Sequence, residues 1–190
     1  MKNTLLTLAL LFSALLFLGS CGDDDPVEPE NEEEVITTVN LTFTPTSGTA
    51  VTMTYKDEDG EDGPAAPTVT GGTLAANSTY TLAVELLNET ENPAEDVTEE
   101  IEEEDLDHQF FFTVSSALNM TVAYADQDSQ GNPIGLSNTI TTGDASTGTL
   151  TVVLRHEPDK SATGVSGGDA TNAGGETDIE TNPAFPITIQ

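Results

Sequence analysis

The sequence predicts an all-β chain: an antiparallel β-sandwich of immunoglobulin-like type with one short acidic helical insertion. Three observations predict it. Apolar residues recur with a period of two along most of the chain, threonines dominate the alternate positions, and clusters of Gly, Pro, Asp and Ser separate the alternating stretches. No repeat with a period of roughly 20 to 50 residues is present, which argues against a propeller or solenoid.

The elements follow in order. Val35, Val39, Leu41 and Phe43 share one face, with Thr37 in the same phase, while Thr38, Asn40 and Thr42 take the other. Val51, Met53 and Tyr55 come next, then Tyr80, Leu82, Val84 and Leu86. The later rows are Phe110, Phe112 and Val114; Met120, Val122 and Tyr124; Leu150, Val152 and Leu154; and Phe185, Ile187 and Ile189. Each reads as a strand with one face on a core and one in water. Turn signals stand between them: "PTSGT" at 45–49, "DSQGNP" at 128–133 and "GDAST" at 143–147.

One segment departs from the period of two. "NPAEDVTEEIEEEDLD" (92–107) offers Asn92 as a cap and Pro93 at the first helical position, and Val97 and Ile101 share a helical face. Acids from Glu102 to Asp107 crowd the end that the helix dipole makes unfavourable for them, so only one or two turns are expected. Phe111 has the outward phase of its strand and is expected beneath this helix.

The N-terminus carries an address. Lys2 precedes a nearly unbroken apolar run from Leu5 to Leu18, shorter than the ~20 residues a spanning helix needs. Leu18-Gly19-Ser20-Cys21 is similar to a bacterial lipobox, which makes Cys21, the sole cysteine, the lipidation site. Asp23, Asp24 and Asp25 resemble the acidic surface-export tag of Bacteroidota lipoproteins, which implies an outer-membrane anchor with the domain facing the cell exterior. Read as a plain acidic spacer, they leave the domain facing the periplasm. The divisions are a signal peptide at 1–20, the lipidated cysteine and an acidic tether at 21–34, and one sandwich domain at 35–190.

Charge excludes one class of partner. The chain has 4 basic and 34 acidic residues and a formal charge of −30. Loss of Lys2 with the leader makes the remainder one charge more negative. Such a chain repels phosphate backbones, so no nucleic-acid partner is expected.

Catalysis finds little support. There is no glycine-rich phosphate loop after a strand and no serine in a nucleophile-elbow context. Among 34 carboxylates, pairs at useful distances arise by chance, so no acid/base pair is assigned and the chain is read as a non-enzyme.

Cation binding has three candidate places. "DEDGEDG" (57–63) puts Asp57, Asp59 and Asp62 in one glycine-containing loop, although it does not match an EF-hand. "DQDSQGNPIG" (126–135) matches a calcium loop in part, through Asp126, Asp128 and Gly131, with Gln130 and Ser137 where ligands should stand. His108 is in phase with Phe110 and Phe112, and His156 with Leu150 and Leu154, so both point core-side, one at a strand start and the other at a strand end. In antiparallel neighbours those ends meet, and the rings converge at the rim with Asp107 and Glu157 beside them. Calcium or another divalent cation is the candidate cofactor. Solvated hairpin loops and a hydrogen-bonded rim are the simpler readings of the same residues.

"ELLNETENPAEDVTEEIEEED", "HQFFFTVS" and "TGTLTVVLRHEPDKSATGVSGGDATNAGGETDIE" resemble a family of small lipoproteins from marine Bacteroidota, commonly labelled "type 1 periplasmic binding fold superfamily". The resemblance spans essentially the whole chain after the leader, and it implies no particular site residues. By analogy with surface lipoproteins more broadly, it implies accessory ligand capture beside a TonB-dependent receptor. A binding module accessory to nutrient or metal uptake is therefore the expected function, with a structural or adhesive surface protein as the alternative. The polar, glycine-rich stretch from 157 to 178 is expected, if ordered, to cover an end of the sandwich near the histidines.

Overall fold

The computed structural model describes residues 34–60 and 63–190. The leader, Cys21, the aspartates at 23–25, the tether up to residue 33 and Asp62 lie outside the described residues. In chain order the described strands are β1 (Thr38–Pro45), β2 (Val51–Lys56), β3 (Thr68–Thr70), β4 (Gly72–Leu74), β5 (Thr79–Asn88), β6 (Glu95–Asp96), β7 (His108–Val114), β8 (Met120–Tyr124), β9 (Ser137–Thr142), β10 (Ser146–His156), β11 (Glu176–Glu180) and β12 (Phe185–Ile189). One helix, α1 (Val97–Glu103), lies between β6 and β7.

Two sheets form, and the fold is the expected all-β sandwich. The first has the order β3-β2-β1-β5-β9-β8, with β6 also on β5; the second has β11-β10-β12-β4, with β7 on β10. Pairing is antiparallel except between β12 and β4. The period of two explains both the strands and their register. In β5 the even residues Tyr80, Leu82, Val84 and Leu86 are buried and the intervening ones exposed, so a one-residue slip would turn the whole row to water. Phe43, Phe110, Phe185, Leu82 and Leu154 are among the fully buried side chains of the core, each contributing about 1.5–3 kcal/mol on burial.

The chain changes sheets at Gly71, between β3 and β4. A Cβ there would lie 2.0 Å from the Pro186 carbonyl oxygen, so only glycine lets the backbones approach at this corner. No helix among the described residues is long and apolar enough to cross a membrane.

Three local expectations need correction. Val35 is exposed and Ile36 buried instead, because the strand starts only at Thr38 and the preceding chain has a different phase. The helix is capped by Asp96, whose carboxylate accepts from the Thr98 amide, and not by Asn92 with Pro93; Asp96 is followed directly by the buried pair Val97 and Ile101. The 157–178 stretch contains two 3-10 turns, at Val165–Gly167 and Ala170–Asn172, and its end already belongs to β11. Phe111 is covered by this stretch rather than by α1, packing with Val165 and Ala173 in a second small core on the outer face of β7 and β10.

Candidate metal centre

The site grows from the inward row of β10. Leu150, Val152 and Leu154 are buried in turn, and His156 continues the row at the rim. Antiparallel register places His108, the first residue of β7, directly opposite His156. Their ring centroids are 4.6 Å apart with planes at 69°. The sequence-predicted convergence of the two imidazoles is what the strand pairing produces. Just beyond, the Glu157 amide donates to the Asp107 carbonyl at 2.6 Å and closes the two strand ends. Asp107 and Glu157 thus pin the rim through their backbones, and neither joins the cluster of potential ligands.

Two other carboxylates do. Glu34, which sequence analysis places at the end of the tether, turns inward before β1, and Asp178 comes from β11. Asp178 reaches the cluster through a β-bulge. Leu154 pairs with Ile179 and Arg155 with Thr177, so Asp178 is the extra residue. Ile179 faces the core, and simple alternation would send its neighbour outward; the bulge re-aims Asp178, whose side chain is 1% exposed.

The four side chains present atoms that all lie within 4.8 Å of one another. Nε2 of His108 lies 3.0 Å from Glu34 Oε1 and 3.8 Å from Asp178 Oδ2. Nδ1 of His156 lies 3.6 Å from Glu34 Oε2 and 3.8 Å from Asp178 Oδ1. A tetrahedral ion with ligands at about 2.0–2.1 Å separates them by roughly 3.3–3.4 Å, and the observed spacings bracket that edge.

The hydrogen bonding of His108 is that of a ligand. Nδ1 of His108 is 3.1 Å from the Glu104 carbonyl oxygen, to which it donates, so Nε2 is the nitrogen that faces the carboxylates and would bind an ion once free of its proton. Glu34 Oε2, His108 Nε2 and His156 Nδ1 are buried with no hydrogen-bond partner among the described residues. Although His108 Nε2 and Glu34 Oε1 are within ion-pair distance, the nitrogen makes no directional hydrogen bond. These atoms converge on a point between them more than on each other.

Electrostatics agree. Burial acts to lower the basicity of His108, yet its contacts with Glu34 and the Glu104 carbonyl and the charge of Asp178 hold it above its ordinary value of 6.5. Burial acts to raise the Glu34 carboxyl, and His108 and His156 hold it below 4.5. The site draws positive charge. Two of the chain's few cations are committed elsewhere, Lys56 to Glu58 and Glu89, and Lys160 to Asp128.

The other sequence candidates stand apart from this cluster. Both carboxylate oxygens of Asp126 accept amides, from Gly135 at 2.8 Å and Ser137 at 2.7 Å. Asp128 accepts the amides of Gln130 and Asn132 and pairs with the Lys160 ammonium at 3.0 Å. Their oxygens are thereby committed to donors that fix the loop, a role the partial calcium-loop match did not anticipate. Asp59 accepts the Ala65 amide. Asp57 differs: it is 6% exposed, its Oδ1 lacks a hydrogen-bond partner, and burial, with the charge of Asp59, pushes its carboxyl above 3.8.

Glu34 and Asp178 are the site residues that sequence reasoning missed. Glu34 sits in an acidic run with nothing to separate it from its neighbours, and the bulge that aims Asp178 has no signature in "ETDIE". Comparison of the chain with protein-family models, with curated proteins and with solved structures finds no match.

Proposed function

We propose that this protein is a non-catalytic binding module, anchored to the outer membrane through Cys21, that holds one divalent transition-metal ion, with zinc the best match. One observation carries the reading: two imidazoles and two carboxylates converge in a buried cluster, and at least three of their donor atoms lack hydrogen-bond partners among the described residues. Mixed nitrogen and oxygen donors suit zinc, whereas calcium requires six to eight oxygens. Four protein ligands leave a tetrahedral ion no open position for a substrate, which favours holding over catalysis. Accessory metal capture beside a TonB-dependent receptor is the role that the lipoprotein resemblance implies.

A structural or adhesive surface protein remains the second reading, because closed four-ligand sites are also how zinc fastens a fold. Exchange separates the two: a capture module hands its ion to a chelator readily, and a structural one does so only as it unfolds.

Equilibrium dialysis against zinc tests the binding itself. The wild-type protein is expected to retain one ion per chain and His156→Ala to retain far less, while equal retention by both refutes the site. On the cell, Cys21→Ala is expected to leave the membrane fraction, and continued fractionation with the outer membrane would contradict the anchor.

A further inference from the structure

A buried ion needs a way in. A cavity of about 340 Å³ lies against the centre, lined by Ile36, Tyr55, Asp57, Asp178, Glu180 and Asn182 among others. Two of these lead directly to the cluster. Asp178 belongs both to this lining and to the ligand set, and Ile36 is two residues from Glu34. Among the described residues that line it, three are carboxylates and none is Lys, Arg or His.

Asp57 holds a particular place there. It follows β2, and its amide donates to the Thr37 carbonyl at 2.8 Å, which ties it to the chain just after Glu34 and Ile36. It is 6% exposed, and among the described residues Oδ1 makes no hydrogen bond, although the Asp59 and Gly60 amides stand against the same carboxylate. A buried carboxylate oxygen left so is costly unless something arrives to pair with it. The cavity also suits a hydrated ion: six waters occupy about 200 Å³ at ~30 Å³ each.

Building on the metal-centre reading, we propose that this cavity is the loading mouth of the centre and that Asp57 is a transit ligand. It takes a hydrated divalent cation from solvent, replaces part of its water shell and passes it to Asp178. Only water is exchanged at Asp57; a proton held on His108 Nε2 leaves to solvent as the ion reaches the centre, and no electron moves. The ring of carboxylates around the mouth raises the local cation concentration, as acidic clefts do. A transit ligand lies on the path and outside the final ligand set, so it governs rates and leaves affinity alone.

Stopped-flow zinc uptake by the metal-free full chain tests this, with release into excess chelator measured alongside. Asp57→Asn is expected to slow uptake about tenfold or more, within the range that charged clefts contribute. Release should slow by a similar factor, with stoichiometry and Kd unchanged. Asp57→Glu should recover most of the rate, and Glu180→Gln, at the exposed edge of the mouth, should slow uptake by about two- to threefold. Glu99→Gln, an exposed acid of α1, controls for net charge and should leave the rate unchanged. An unchanged uptake rate in Asp57→Asn, or a weaker Kd at the wild-type rate, overturns the loading role and leaves the metal centre standing. Failure of the wild-type protein to take up zinc overturns both. If Asp57→Asn does not fold, Glu180→Gln decides: a wild-type uptake rate in that variant rejects the mouth.

Discussion

Zinc added to the metal-free protein is expected to raise its melting temperature by roughly 10 °C or more. An ion that binds only the folded chain stabilises it by mass action, about 4 kcal/mol at a free concentration a thousandfold above Kd. For a domain of this size each kcal/mol moves the midpoint by about 2–4 °C. The stabilisation would have a local cause: a bound ion would pair at once with Glu34, His108, His156 and Asp178, which link the N-terminal entry, both strands of the β7–β10 pair and the β11 edge. Calcium at the same ionic strength is expected to give a much smaller shift, since screening does not discriminate between the two ions and donor chemistry does. His108→Ala lowers the metal-free midpoint by removing a buried ring, so the quantity to read by calorimetry is the zinc increment. That increment should nearly vanish in the variant. An equal increment from zinc and calcium would reduce the acids to a general cation coat.

The second large effect lies at the other buried charge. Nζ of Lys160 donates to the Asp105 carbonyl at 2.6 Å and to Asp128 at 3.0 Å, and both charged side chains are almost fully buried. Asp128→Asn leaves the ammonium buried without its counter-charge and should cost about 3–5 kcal/mol in urea denaturation. Replacing both partners, Asp128→Asn with Lys160→Met, should recover much of that loss. The pH dependence has a definite sign. Burial acts to raise the Asp128 carboxyl, but the Asn132 amide and the Lys160 ammonium hold it below its ordinary 3.8. A lowered carboxylate stabilises the fold above the unfolded value and ceases to do so as pH falls through the folded one. The wild-type protein should therefore lose this contribution below about pH 4, while Asp128→Asn shows a flatter profile there. Parallel profiles for the two proteins would contradict the assignment.

The strands were legible because burial in a sandwich writes itself into alternate residues, and β5 and the second half of β10 follow that rule without exception. The histidine pair was legible for the same reason, since each ring extends an apolar row and antiparallel pairing does the rest. The carboxylates were not. Glu34 has the composition of a tether and gains its role only from the groups it meets, which lie far along the chain. Asp178 has the wrong parity and is turned inward by one bulge. Asp126 and Asp128 have a second role that spacing does not show. Their spacing suggests calcium, and their oxygens accept the amides that fix the loop; loops use carboxylates for both purposes, and sequence alone does not distinguish them. Phe111 shows the same limit, for its outward phase required a cover without saying that the later stretch holding Val165 and Ala173 would supply it.

X-ray absorption at the zinc edge tests the central claim most directly. The protein, loaded with one equivalent of zinc and passed through a desalting column, is expected to show four light-atom ligands at about 2.0–2.1 Å, with the outer-shell scattering of two imidazoles. His108→Ala should lose one imidazole contribution. A zinc shell built of oxygens alone, or zinc that leaves the protein on the column, would contradict a centre made of Glu34, His108, His156 and Asp178.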